Sequence, residues 1–139
     1  MTRKILLAAA LALAIAPDAL ADDGWYPNET DCTGAVDATP ALLPGKVASW
    51  CPSTTTTQIV KVHSIADCNW YTTGGETLSI DQCSGSSSTY CTTPLVDADG
   101  VAWVVTSADD SGRFSLASGV YEITASAAAS TGRLLCTGR

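Results

Sequence analysis

The side chains that could do chemistry in this 139-residue chain are few: six cysteines, one histidine and fourteen carboxylates. The cysteines are Cys32, Cys51, Cys68, Cys83, Cys91 and Cys136. No two are spaced Cys-x-x-Cys, so the usual zinc-ribbon and thioredoxin patterns are missing. No Cys-x-x-Cys-His occurs for covalent haem attachment. An even count behind an export leader reads instead as three structural disulfides. Local spacing favours Cys32–Cys51. For the other four, Cys68–Cys83 with Cys91–Cys136 is expected, because a hairpin at Gly74-Gly75 puts Cys68 and Cys83 diagonally on one face. The rival set is Cys83–Cys91 with Cys68–Cys136, and sequence alone leaves both open.

His63 is the single imidazole. Zinc centres draw on several His or Cys ligands, so a lone histidine reads as a surface or rim side chain. A Ser-His-Asp triad would have to use it, and no Gly-x-Ser-x-Gly elbow presents a serine. Glycosidase chemistry needs two carboxylates about 5–10 Å apart. Glu29, Glu76 and Glu122 are the only glutamates, and their spacing singles out no such pair. Asp97-Ala98-Asp99-Gly100 has part of a calcium loop, but Leu95 and Thr106 stand where an EF-hand needs ligands. A β-turn explains Asp and Gly there on backbone grounds. The expectation is a protein that is not an enzyme and carries no cofactor or metal.

Two aromatic pairs are the candidate binding or assembly residues: Trp25 with Tyr26, and Trp70 with Tyr71. Neighbours on a strand point to opposite faces, so Trp70 and Tyr71 cannot share one core. One ring is then either a platform for a sugar or covered by a loop or disulfide. Trp25 and Tyr26 lie in an irregular stretch and should dock on something, either a neighbouring subunit or this chain's own sheet edge.

The elements that must position these groups follow an N-terminal leader. Arg3 and Lys4, the apolar run Ile5 to Ala16 and the small-x-small site Ala19-Leu20-Ala21 have the layout of a secretory signal peptide over 1–21. The run falls short of the about 20 residues that a membrane span needs. The expected location is secreted, extracellular or periplasmic, after cleavage near Ala21. Without 1–21 the chain keeps 118 residues, enough for one domain with a real core. The formal charge moves from −7 to −8, because Arg3, Lys4 and Asp18 leave together. Lys46, Lys61, Arg113, Arg133 and Arg139 are scattered along the remainder, which disfavours nucleic acid and anionic membrane surfaces as partners.

Residues 22–45 hold Pro27, Pro40, Pro44 and several glycines and read as an arm with one short strand at most. Residues 46–139 are the expected β-sandwich domain, reading as β throughout from Gln58 onward. Ile59 to Ile65 is a strand, Gly74-Gly75 a two-residue hairpin, and Val101 to Val105 a central strand buried on both faces. Phe114, Leu116, Tyr121, Ile123 and Ala125 form inward faces with Trp103 and Val105, and Arg133 to Thr137 is the terminal strand. Short strands with turn signals between them predict a disulfide-stabilised antiparallel β-sandwich, jelly-roll-like or Greek-key, of about seven to nine strands. The segment Phe114 to Ala127, broken at Ser118-Gly119, resembles a strand pair common in jelly-roll domains.

These features lead to a secreted, acidic, non-catalytic protein. The first expectation is a structural or adhesive subunit of an extracellular assembly, joined by self-association or to another extracellular protein. The second is a small secreted binding module for carbohydrate or for a protein target, such as an inhibitor.

Overall fold

The computed structural model describes residues 25–27, 37, 39–52, 56–84, 90–106, 112–128 and 132–139. The expected leader and Cys32 lie outside them. Among these residues nine strands form: β1 (Tyr26–Pro27), β2 (Ala41–Leu42), β3 (Val47–Trp50), β4 (Thr57–Tyr71), β5 (Leu78–Cys83), β6 (Cys91–Pro94), β7 (Val104–Val105), β8 (Arg113–Ala125) and β9 (Arg133–Gly138). They join in one sheet in the order β1-β3-β9-β4-β8-β5-β6, with β2 beside β4 and β7 beside β5. Every pairing is antiparallel except β2 with β4. The protein is therefore all-β, but its strands form one open sheet where a sandwich of two sheets was expected. Among the described residues no helix is long and apolar enough to cross a membrane.

The frame is the long pair β4 and β8. Their register shifts between Val62 and Ile65: Val62 faces Gly119 and Ile65 faces Ala117, so His63 and Ser64 oppose the single residue Ser118. This is a β-bulge, which bends a strand and re-aims its side chains. The inward face of β8 changes parity there. Phe114 and Leu116 are buried before the bulge, and Tyr121, Ile123 and Ala125 after it. The break read at Ser118-Gly119 is thus a bulge partner inside one continuous strand, not a connection between two strands.

Beyond this pair the sheet has two wings. One is β9, β3 and β1, and the other is β5 with β6 and β7. Their inward side chains meet in one cluster that includes Trp25, Trp50, Trp70, Leu78, Ile80, Val105, Ile123 and Leu134. Burying each such aliphatic side chain favours folding by about 1.5–3 kcal/mol, and the alternating pattern supplies them at every second position.

Three strand expectations are corrected. Gly74-Gly75 does not close a hairpin. A type I′ turn needs positive φ at both residues, and only Gly75 has it, at 82°. Residues 72–77 instead carry the chain past β8, which separates β4 from β5. The Thr72 hydroxyl donates to the Glu76 carboxylate, the Gly74 N–H to the Thr72 hydroxyl (3.1 Å), and Trp70 Nε1 to the Glu76 carbonyl (2.9 Å). The run Val101 to Val105 is not a central strand. Only Val104–Val105 pairs with β5, along its outer margin, and Val101 is 61% exposed. Its apolar run is shared between a core contact at Val105 and a projecting hairpin, where Val96 bridges Ala102. The arm holds two short strands, β1 and β2, rather than one.

The disulfides follow from the pairing. Cys68 faces Cys136 across β4 and β9, with a Cα–Cα distance of 4.1 Å, and the two are bonded. Cys83 faces Cys91 across β5 and β6, at 3.8 Å, and these are also bonded. The expected Cys68–Cys83 and Cys91–Cys136 set is overturned, because it depended on the hairpin. Cys51 is disulfide-bonded as well; its expected partner Cys32 lies outside the described residues. Such bonds persist in oxidising compartments, which fits a secreted or extracellular protein.

Candidate binding face

Strand alternation decides which side chains leave the core. On the last part of β4, Cys68 and Trp70 point inward, so Asp67, Asn69 and Tyr71 point out. On the first part of β8, Phe114 points inward, so Arg113 and Ser115 point out. On β9, Leu134 and Cys136 are inward, so Arg133, Leu135 and Thr137 line the outer side. The register then sets these residues in rows. Leu135, Asn69 and Arg113 share one row, Thr137, Asp67 and Ser115 the next, and Arg133 faces Tyr71. The first two rows, with Cys68 and Phe114, line a groove of about 380 Å³.

Among the described residues Asp67 is the one carboxylate in the groove lining, and it is already engaged. Arg139 grips it with Nε–Oδ2 at 2.6 Å and Nη2–Oδ1 at 3.1 Å, and the Ser115 hydroxyl donates to Oδ1 at 2.6 Å. Among the described residues no carboxylate pairs with Arg113. The groove therefore offers a guanidinium, an amide, two hydroxyls and the apolar Leu135. Tyr71 continues the same face and is 54% exposed.

Of the four aromatic candidates, only Tyr71 is displayed. Trp70 is 2% exposed and its indole N–H is spent on the Glu76 carbonyl. Trp25 is fully buried against Trp50, with ring centroids 6.1 Å apart. Tyr26 is buried, and its backbone pairs with Ser49 of β3. Trp25 also exchanges two backbone hydrogen bonds with Asp37. Trp25 and Tyr26 thus lie against β3 of their own chain.

His63 is exposed at the bulge. Among the described residues no three His, Cys, Asp or Glu side chains come together as a metal site. Asp97 Oδ1 accepts the N–H groups of Asp99 (2.9 Å) and Val101 (3.0 Å), and Gly100 has φ of 77°, the chemistry of a turn.

The grouping of Arg113, Arg133 and Arg139 on one face is what sequence reading missed. The outward direction of Arg113 and Arg133 was legible from the apolar Phe114 and Leu134 beside them. Their adjacency was not, because it depends on β8 and β9 both pairing with the same part of β4. Comparison of the chain with known protein families, with curated proteins and with solved structures returns no match.

Proposed function

We propose that this chain is a secreted, non-catalytic binding module whose ligand is a carbohydrate, seated on the outer face of β4, β8 and β9. The observation that carries the reading is the groove itself. Planar and hydroxyl hydrogen-bonding groups (Asn69, Arg113, Ser115, Thr137) surround the apolar Leu135, with the exposed Tyr71 beyond them. Sugars combine ring hydroxyls with apolar C–H faces, so they suit a concave site with a few placed polar groups and an aromatic surface. The Cys68–Cys136 bond ties β4 to β9 beneath this face. The test is calorimetric titration of the mature protein with neutral and acidic oligosaccharides. Tyr71→Ala and Asn69→Ala should each weaken binding while leaving the fold intact; saccharide binding unaffected by both would remove the reading.

The structural or adhesive subunit is the second reading. Its support is the β6–β7 margin. Val96, Val101 and Val104 are each at least 50% exposed there, beside a strand with no further partner among the described residues. A second copy could pair at that edge. Sedimentation of wild type and Val101→Asp decides it: assembly abolished by the substitution supports this reading, and a monomer at all concentrations discards it.

A further inference from the structure

We propose that the saccharide taken by this face is acidic, and that Arg113 receives the carboxylate of a uronate residue. This rests on the binding-module reading and names its substrate class. The chain as a whole is acidic, with a formal charge of −7, yet three of the five bases beyond the leader lie on this one face. Charges on a surface act over about 8–10 Å at physiological salt, so the local sign decides what docks. Within the groove the Arg139 guanidinium offsets Asp67. The side chain that remains to set the sign is Arg113, at the end of the row Leu135, Asn69, Arg113. A guanidinium presents two parallel N–H groups that match the two oxygens of a carboxylate. Asn69 and Ser115 flank it, and both can bond the hydroxyls of the same sugar ring.

An acidic peptide would carry the same charge, but the surface favours a sugar. Extended peptides gain affinity by adding to an open strand edge. Here β4, the middle strand of the face, is paired on both sides, with β8 and with β9, and has no free backbone to offer. Recognition over β4 must come from side chains, and the displayed ring of Tyr71 suits a pyranose.

The experiment uses the mature protein and three uronate oligomers (galacturonate, mannuronate and hyaluronan), the methyl ester of the galacturonate oligomer, and neutral cello- and chito-oligosaccharides. Binding is read by calorimetry, and the site by amide shifts in a two-dimensional NMR spectrum. At least one uronate oligomer should bind, with shifts centred on Asn69, Arg113 and Leu135. Arg113→Gln should weaken it about tenfold or more, as loss of a charge-assisted hydrogen bond implies. Lys61→Gln removes the same charge from an exposed position on another part of β4 and should leave affinity unchanged. If neutral sugars or the ester bind equally well at the groove, or if both substitutions weaken binding equally, the acidic assignment falls and the carbohydrate reading survives. If no saccharide of either kind shifts the groove, both fall.

Discussion

Thr72, Glu76 and Trp70 show how much a single side chain decides in this protein. The Thr72 hydroxyl, then the backbone N–H of Glu76, hold the Glu76 carboxyl below its ordinary value of 4.5. A depressed folded-state value means that the charged form favours folding. That contribution is complete above the unfolded value and is lost as pH falls through the lower, folded one. Thr72→Val should therefore move the Glu76 midpoint up towards 4.5, measured by NMR titration, and Glu76→Gln should remove this component of acid sensitivity. Ile123 is a second case. It is fully buried on β8 opposite Gln58 and Ile80, and Ile123→Ala should cost about 2–5 kcal/mol in chemical denaturation. A loss near 0.5 kcal/mol, typical of a surface change, would place it outside the core. Its burial was legible from the alternation Tyr121, Ile123, Ala125. That of Val101 was misread, because an unbroken apolar run carries no face information.

At the scale of elements, strand order outweighs strand identity. Most strands were legible, but the insertion of β8 between β4 and β5 was not, since local turn chemistry at Gly74-Gly75 pointed to a direct hairpin. The disulfides changed partners with it. Cys68–Cys136 closes a separation of 68 residues and Cys83–Cys91 one of 8. Loop-closure entropy assigns them roughly 4 and roughly 2.5 kcal/mol. The paired alanine variant at Cys68 and Cys136 should therefore lose more stability than that at Cys83 and Cys91. Denaturant midpoints of the two check the order, and peptide mapping of the oxidised protein should recover both bonds.

At the scale of the whole molecule, the N-terminal arm contributes a side chain to the core. Trp25 lies at zero exposure in the same cluster as Trp50 and Trp70, so the arm completes the core. Trp25→Ala should cost about 3–5 kcal/mol, and deletion of residues 22–30 should lower the thermal midpoint. A deletion variant as stable as the parent would show the arm to be dispensable to the fold. Charge also takes its meaning at this scale. The acidic total was plain from composition, while the arginine face came from three strands brought side by side.

By itself the sequence determined the all-β class, the inward residues of β8, the presence of a disulfide framework and the separation of Trp70 from Tyr71. All of these follow from local periodicity and residue chemistry, which need no knowledge of neighbours. Tertiary structure alone decided which strands touch, which cysteines pair, where the arm docks and which polar side chains share a groove. Those depend on contacts between residues distant in the chain, and in a sheet such contacts are chosen by the burial of all the faces together rather than by any one segment.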